Sequence, residues 1–304
     1  MHDVIMRPIT GRDELALFNR MPYVLNDEVA DDLAEGRRRP EWLWVALDGD
    51  RLLARLAWWG RPGEDVPFLL DILDIADDVE VGARLLRTAA AEVVPAGTRQ
   101  PAYLRTVPAD WRDTARHDVE NRMAVAENTG AHLFVERLRF EWHPGTPLRE
   151  PSTRLAFRPV RDTDEILDLM TRVLDGTLDA HSRDDLTRMP ARDAAVQHYE
   201  DELVHYRSPR DWWRVATLPD GEPVGFVTPA RNDYNPIIGY IAVLPEHRGN
   251  GYIDDILAEG TRVLAAQDVP RIRAATDLGN TPMAAAFHRA GYVNVERTIT
   301  MTWH

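Results

Sequence analysis

Apolar residues recur along the chain with two different periods, one typical of β-strands and one typical of α-helices. The change from one period to the other predicts the order of strands and helices. An apolar run at 237–243 predicts a buried strand, and an amphipathic pattern of helical spacing follows it within a few residues. Thr281 as N-cap and Pro282 at the first helical position indicate the start of another helix, and Gly291 indicates its end. A period-two stretch at 298–303 predicts a last strand. Strands and helices are therefore expected to alternate around a mixed sheet.

Weaker patterns complete the second half of the chain. An Asp-Gly pair between two apolar runs indicates a hairpin, and polar segments with helical spacing precede it. The remaining predicted elements are a strand at 155–159, helices over 163–206, a hairpin of 213–218 with 223–229, and a short strand at 271–275.

The two halves of the chain resemble each other. Arg7-Pro8-Ile9 with Asp13-Glu14 is matched at a constant offset by Arg158-Pro159-Val160 with Asp164-Glu165. Two further matches follow in the same order, Trp44–Gly49 with Trp213–Gly221 and Gly130–Trp142 with Gly291–Trp303. Because a proline-rich stretch separates the copies, we predict a duplicated α+β (mixed α/β) fold. The predicted bounds are a domain at 1–143, a linker at 144–153 and a domain at 154–304.

Composition excludes several kinds of chemistry. The 304 residues contain no cysteine and no lysine, so disulfides, thiolate metal sites and lysine-based catalysis are impossible. A net charge of −14 disfavours nucleic acid and suits a cationic partner such as an amine, although a merely well-hydrated surface is the simpler explanation. Neither a membrane-spanning apolar run nor a signal-peptide pattern is present. We expect a cytoplasmic monomer or homodimer without a metal and without a nucleic-acid or membrane partner.

Residues 248–253, which we call the glycine loop, separate the strand at 237–243 from the helix after it. Their sequence is Arg248-Gly249-Asn250-Gly251-Tyr252-Ile253. Glycines let the backbone approach a ligand closely, and the free N–H groups at a helix start favour an anion. The loop therefore predicts a phosphate-bearing ligand bound without lysine or metal. Asp254 and Asp255 follow, where they suit the helix dipole but stand close to that anion.

Two motifs together resemble the GCN5-related N-acetyltransferase (GNAT) family. The glycine loop is similar to the family's cofactor loop, [Gln/Arg]-x-x-Gly-x-[Gly/Ala], although Ile253 replaces the last small residue. The family's second motif has an asparagine, an aromatic residue and Gly-[Phe/Tyr], and Asn280, Phe287 and Gly291-Tyr292 have its spacing. The resemblance implies two GNAT-like domains, each a mostly antiparallel mixed central sheet flanked by helices.

The resemblance also implies acetyl-CoA as co-substrate, with its pantetheine arm along the end of the strand at 237–243. The backbone N–H near Val243 would then polarise the thioester carbonyl. Asn280 would bind the arm, although a turn residue before a helix is an equal interpretation. The implied cofactor-binding residues are Val243, Leu244, Arg248, Gly249, Asn250, Gly251, Tyr252, Ile253, Asn280 and Phe287.

The catalytic groups are harder to identify. Phe287 stands where the family has its tyrosine general acid, and phenylalanine has no proton to give. The strand at 236–244 has no carboxylate, and Tyr240 is its only titratable side chain. Asp277, expected just after the strand at 271–275, is positioned to deprotonate an amine. We name Tyr240 and Asp277 as candidates, against the simpler interpretations of a half-buried strand residue and a loop carboxylate.

The first copy departs from the pattern of the second. With the helices aligned, Asp77 stands opposite Arg248 and Glu80 opposite the central glycine, where carboxylates would repel a diphosphate. Val119 and Ala126 replace the asparagine and aromatic residue of the second motif. The first copy is thus expected to be a GNAT shell without a cofactor site.

The expected activity is acetyl transfer from acetyl-CoA to a small amine by direct attack on the thioester. Twelve acidic residues against four arginines between positions 162 and 202 suit an amine, although solvated helix faces explain them too. The alternative is a non-catalytic acyl-CoA-binding or sensing module.

Overall fold

The computed structural model describes residues 4–303, which form two compact units. The first unit comprises the chain up to Glu136 together with the residues from Arg297 onward, and the second is Arg137–Glu296. Each unit has hydrophobic clusters made only of its own residues. Two separate cores indicate two domains built from one chain.

The first half of the chain contributes six strands and five helices within the described residues. Its strands are β1 (Ile5–Pro8), β2 (Leu43–Asp48), β3 (Arg51–Trp59), β4 (Leu69–Ile75), β5 (Tyr103–Pro108) and β6 (His132–Trp142). Its helices are α1 (Leu15–Phe18), α2 (Val29–Ala34), α3 (Val79–Val93), α4 (Trp111–Thr114) and α5 (Arg116–Glu127).

The second half follows the predicted order of elements closely. Its strands are β7 (Ala156–Pro159), β8 (Arg214–Thr217), β9 (Pro223–Arg231), β10 (Pro236–Val243), β11 (Ile272–Asp277) and β12 (Val293–Thr302). Its helices are α6 (Thr163–Val173), α7 (Ala180–Leu186), α8 (Ala191–Asp201), α9 (Tyr252–Ala265) and α10 (Thr281–Arg289). The predicted fold class is confirmed, because each unit is a mostly antiparallel mixed sheet flanked by helices.

Each unit receives its last strand from the other half of the chain. The second unit orders its strands β7-β8-β9-β10-β11-β6, and Arg137–Trp142 of β6 pairs antiparallel with β11. In the first unit the order is β1-β2-β3-β4-β5-β12, with β12 contributing from Arg297 onward. These bounds differ from the predicted division at residues 143 and 154, since period-two patterning does not say which sheet a strand joins.

The duplicated motif at the start of each half is a clamp between a strand and the helix after it. The guanidinium of Arg7 makes two hydrogen bonds to Glu14, at 2.8 and 2.6 Å. Arg158 and Glu165 repeat them at 2.9 and 2.7 Å. In both copies the carboxylate also accepts a backbone N–H four residues before it. The sequence repeat therefore corresponds to a repeated bidentate ion pair.

The parallel strands of the second unit, β10 and β11, pair at one point only. Their register contains one pair, Ile237 with Arg273. On the other side of β10 the register with β9 shifts between Ile238 and Tyr240, which leaves Gly239 as a bulge. A Cβ atom on Gly239 would lie 2.5 Å from the hydroxyl of Tyr206, so this position requires glycine. We call the space beyond the Ile237–Arg273 pair the β10–β11 gap.

Candidate active site

The glycine loop presents open backbone at the start of α9. Gly249 and Gly251 have φ angles of 82° and 72°, in the left-handed region that favours glycine. Gly251 is the N-cap of α9, and no side chain of the described residues caps that helix. Nothing lies within 4 Å of the space where a Cβ atom of either glycine would stand. The first N–H groups of α9 are therefore available to an anion.

The side chain of Arg248 points away from this anion position. Its Nε donates to the carbonyl of Val243 at 3.2 Å, and Nη2 donates to that of Val173 at 2.9 Å. Nη1 donates to Asp175 at 2.7 Å and to Gly176 at 3.4 Å. These bonds use four of the five N–H groups of the guanidinium, which leaves the backbone of residues 249–253 as the main phosphate ligand.

Arginines neutralise the two carboxylates that follow the loop. Arg289 lies 2.7 Å from Asp254, and Arg149 lies 3.3 Å from Asp255 and 3.6 Å from Asp254. Arg154 forms an ion pair with Asp255 and also donates to the Asn250 carbonyl at 3.1 Å. The charge conflict expected with a diphosphate is thus compensated locally. Arg149, which lies in the predicted linker, packs against the second unit as part of this compensation.

The other loop residues have structural contacts. The side-chain amide of Asn250 donates to the carbonyl of His247 at 3.1 Å. Tyr252 and Ile253 are partly buried and pack on the core of the second unit. Ile253 therefore turns inward, and the bulk that distinguishes this loop from the family pattern lies on the core side.

The backbone at the end of β10 offers donors to the β10–β11 gap. The N–H groups of Tyr240 and Leu244 point toward β9, donating to Thr228 Oγ1 at 2.7 Å and to the Val224 carbonyl at 2.8 Å. Successive amides along a strand point to opposite edges, so the N–H of Val243 faces the gap. Leu244 is fully buried, and its side chain has no surface to offer a ligand.

A cluster of charged residues lies at the end of β11. Asp277 is the last residue of that strand rather than a loop residue beyond it, and it is 3% exposed. Its Oδ2 accepts the backbone N–H of Ala180 at 2.6 Å, and its Oδ1 lies 3.0 Å from Nε of Arg137. Burial first, and the charge of Asp179 second, raise the pKa of Asp277. Only Oδ2 therefore accepts a hydrogen bond, whereas Oδ1 is buried beside Arg137 without one.

Asp179 and Arg137 belong to this cluster, and sequence reasoning did not identify them. Asp179 caps α7 through the N–H of Ser182 at 2.8 Å, and its other oxygen lies 3.8 Å from Arg137. A third of its side chain is exposed. Burial would raise the pKa of Asp179, but Arg137 and the Ser182 N–H outweigh it and lower the pKa. The only signal in the sequence was an aspartate directly before a helix, which is the usual mark of a cap.

Tyr240 lies half-buried on β10 close to the same cluster. Its ring contacts Phe226 edge to face at 5.1 Å and His198 at 5.3 Å. Burial first, and the negative charge of Asp179 second, raise the pKa of its hydroxyl. The phenol therefore keeps its proton at neutral pH.

The residues of the second motif have structural positions. Asn280 is the N-cap of α10 and accepts the N–H of Met283 at 3.3 Å, so the helix begins one residue earlier than expected. Phe287 is 1% exposed and stacks on Phe140 at 5.0 Å between ring centroids. Tyr292 contacts its edge at 5.2 Å. The ring of Phe287 thus lies in the core and has almost no surface to offer a ligand.

The first unit lacks the glycine loop altogether. Only three residues separate β4 from α3, whereas eight separate β10 from α9. The side chain of Asp78 caps α3, accepting from the N–H groups of Glu80 at 2.9 Å and Val81 at 3.2 Å. The first unit has therefore lost the anion site because its loop is shorter and its helix start is already capped. The predicted replacements at Asp77 and Glu80 explain this loss only in part, since Glu80 lies inside the helix.

Ion pairs also fill the position in the first unit that corresponds to the β10–β11 gap. Parallel strands β4 and β5 again share one register pair, and Asp71 is the bulge residue. Asp74, three residues later, pairs across the strands with Arg105 and also with Arg55 and Arg122, at 2.8–2.9 Å. In the second unit the bulge residue is glycine, and an alanine, Ala242, follows it by three.

Comparison with known proteins agrees with this geometry. The model of the acetyltransferase (GNAT) family matches residues 178–292, which span the charged cluster, the β10–β11 gap, the glycine loop and α10. No curated protein matches the chain.

Solved structures extend the GNAT likeness to both halves. A GCN5-related N-acetyltransferase from Sphaerobacter thermophilus has a TM-score of 0.62 at 14% identity, covering 98% of this chain and 94% of that one. A tandem GNAT protein from the clavulanic acid biosynthesis pathway has a TM-score of 0.53 at 16% identity, covering 99% and 98%. A fungal GCN5-related glucosamine N-acetyltransferase region has 0.55 at 13%, covering 99% of this chain and 38% of that one. At these identities the likeness shows a tandem GNAT fold.

Neither a membrane span nor a metal centre is found within residues 4–303. None of their helices combines the length and apolar character needed to cross a membrane. Within the same residues, no group of three or more His, Asp or Glu side chains is arranged to hold a metal ion.

Proposed function

We propose that the second GNAT unit is an acetyl-CoA-dependent N-acetyltransferase for a small amine. The observation that carries this proposal is the C-terminal end of the parallel pair β10 and β11, where the open glycine loop follows β10 and Arg137 joins Asp179 to Asp277 at the end of β11. One end of the sheet thus offers anion-binding backbone and a partly exposed carboxylate. These are the groups that a diphosphate-bearing acyl donor and a cationic acceptor require.

The residues present suit acetyl-CoA. Its diphosphate matches the N–H groups of residues 249–253, and the compensated Asp254 and Asp255 leave little repulsion there. Its pantetheine amides match the strand edge at Val243, where β11 has diverged. Ala242 has a small side chain at the position on β10 that Asp74 occupies in the first unit.

The proposed reaction requires little acid or base catalysis from the side chains of the protein. Acetyl-CoA supplies an acyl group already activated as a thioester. The bound ammonium first loses one proton to solvent, and the free amine nitrogen then forms a bond to the acyl carbon. As the carbon–sulfur bond breaks, the nitrogen gives up a second proton to solvent and the leaving thiolate takes one up. The Val243 N–H polarises the carbonyl, and holding both reactants in one cleft supplies most of the acceleration.

Asp179 is the group proposed to attract the acceptor. Its lowered pKa keeps it ionised at neutral pH, and its partial exposure lets it meet an ammonium group. Asp277 is a poorer candidate for meeting the amine, because it is 3% exposed and one of its oxygens holds the Ala180 N–H. Tyr240, whose phenol stays protonated, is the remaining candidate for returning a proton to the leaving thiolate.

The alternative is a non-catalytic acyl-CoA-binding or sensing module. The burial of Phe287 favours it, because the family's usual acid position has no proton and no access. Calorimetry with acetyl-CoA and with CoA, followed by thiol release with spermidine, glucosamine and 2-phenylethylamine, distinguishes the two. Binding with turnover supports the enzyme, and tight binding without turnover on any amine supports the module.

A substitution in the loop tests the location of the site. Gly251→Glu places a carboxylate at the anion position and is expected to weaken acetyl-CoA binding at least about a hundredfold, by charge and by strain at φ 72°. Gly221→Glu is the matched control, because Gly221 has a φ of 93° in the β8–β9 hairpin. Equal affinity in both variants would show that acetyl-CoA binds elsewhere.

A further inference from the structure

The segment from Val173 to Ala180, between α6 and α7, is tied to the catalytic sheet at both ends. At its start, Arg248 of the glycine loop donates to the carbonyls of Val173, Asp175 and Gly176. At its end, the N–H of Ala180 donates to Asp277 of β11 at 2.6 Å. We call residues 173–180 the acceptor segment.

The start of the acceptor segment is the C-terminus of a helix. α6 ends at Val173, so the carbonyls that follow have no partner within the helix. A guanidinium at this point satisfies them and also suits the negative end of the helix dipole. Three of the four hydrogen bonds of the Arg248 side chain thus go to the end of α6 and the residues just after it, although the Arg248 backbone belongs to the glycine loop.

The acceptor segment carries Asp179, the group proposed to attract the amine. Asp179 stands one residue before the Ala180–Asp277 bond, and its charge acts on Tyr240 of β10. A shift of the segment therefore moves the acceptor's anchor relative to the thioester without moving the glycine-loop backbone.

On this basis, which rests on the proposed function, we propose that the Arg248 side chain is a positioning residue for the acceptor. The backbone of the glycine loop binds acetyl-CoA, whereas the guanidinium of the same loop fixes the wall that presents Asp179. Arg248 is then needed for the amine far more than for the cofactor.

The test uses Arg248→Met, which keeps an unbranched, flexible side chain and removes its donors. With the best amine of the panel, KM for the amine is expected to rise about tenfold, since small misplacements of a reactant are costly. The Kd of acetyl-CoA is expected to stay within about threefold. Amide exchange of residues 174–180, measured with acetyl-CoA bound, is expected to become faster.

Arg172→Met is the matched control. Arg172 lies at the end of α6 and pairs with Glu246 just before the glycine loop, with both side chains nearly half exposed. It links the same two elements without contacting the carbonyls, and exposed pairs contribute little. Neither the amine KM nor the exchange of residues 174–180 is expected to change. Arg248→Lys, which retains a donor, is expected to fall between wild type and Arg248→Met.

Two results overturn the proposal. One is an acetyl-CoA Kd that rises in Arg248→Met as much as the amine KM, and the other is unchanged exchange across residues 174–180. A wild-type protein that binds acetyl-CoA and acetylates no amine rejects the proposed activity instead. In that case the exchange result alone decides whether Arg248 holds the segment.

Discussion

The carboxylate of Asp277 accepts the backbone N–H of Ala180, with 2.6 Å between Oδ2 and the nitrogen. The bond joins the end of β11 to the first turn of α7. Arg137 lies 3.0 Å from the other oxygen, which is buried without a hydrogen bond. The carboxylate thus fixes a helix start, and burial separates it from solvent. Its raised pKa, which alone would suit a general base, follows from burial at this structural position.

Asp277→Asn is therefore expected to retain most of the activity. The amide oxygen of asparagine still accepts the Ala180 N–H, and the variant removes a buried charge that is costly to hold. We expect kcat to fall less than about threefold, measured as thiol release with saturating amine, whereas loss of a general base costs about 10²–10⁴. Asp179→Asn is the comparison, and its KM for a cationic amine should rise about tenfold. A hundredfold loss of kcat in Asp277→Asn would restore Asp277 as the base.

Phe287→Tyr is expected to impair the protein instead of restoring the family's general acid. The ring is 1% exposed between Phe140 and Tyr292, so an added hydroxyl has neither water nor a thiolate within reach. Burying a hydroxyl without a partner costs about 1–3 kcal/mol. Urea unfolding is expected to show that loss, and kcat is expected not to rise. A higher kcat would mean that the ring reaches the cleft.

The sequence was sufficient for the elements but not for the contacts of the site. The period of apolar residues fixed strands and helices because burial enforces it, and the Arg158–Glu165 repeat pointed to duplication. The exchange of β6 and β12 between units escaped prediction, since either sheet satisfies the same alternating pattern. Asp277 was expected in a loop because the predicted strand stopped at residue 275, although Asp277 is the last residue of β11.

The sequence predicted which residues lie at the candidate site, but not where their side chains point. The spacing of Arg248 and Gly251 identified the loop, because glycine is the residue that adopts a positive φ without strain. Nothing in the sequence shows that the Arg248 side chain turns to α6, because the carbonyls it meets lie about 75 residues earlier in the chain. Such distant partners depend on tertiary packing. Asp179 was missed for this reason too.

Asp74→Asn is expected to destabilise the first unit strongly. Asp74 is fully buried, and three arginines, Arg55, Arg105 and Arg122, lie against its oxygens. Burial would raise the pKa of Asp74, but these charges outweigh it and lower the pKa. Breaking a buried charge network by removing one partner costs about 3–5 kcal/mol. Denaturant unfolding followed by tryptophan fluorescence measures the loss.

Asp77→Asn is the matched control for that experiment. Asp77 is an exposed acid two residues beyond the end of β4, and surface substitutions change stability by about 0.5 kcal/mol or less. A loss in Asp74→Asn no larger than in Asp77→Asn would show that the arginines do not depend on Asp74.

The Arg158–Glu165 clamp predicts a pH-dependent stability with a defined window. Burial of Glu165 would raise its pKa, but hydrogen bonds from Arg158 and Arg161 outweigh it and lower the pKa from 4.5 to about 2. A carboxyl whose pKa is lower in the folded state stabilises the fold above its unfolded pKa. That stabilisation is lost as the pH falls from about 4.5 toward 2.

Glu165→Gln is expected to lower the free energy of unfolding at pH 7 by about 1–2 kcal/mol. The pKa shift alone corresponds to about 3 kcal/mol, but Arg158 and Arg161 are 34% and 69% exposed, and solvent weakens the pair. The difference from wild type should shrink steadily in urea unfolding at pH 7, 4 and 3, because protonation removes the same charge in the wild type. Asp164→Asn, at the exposed neighbouring acid, should show no such convergence. A Glu165→Gln deficit that is equally large at pH 3 would mean that the side chain stabilises the fold by packing and not by charge.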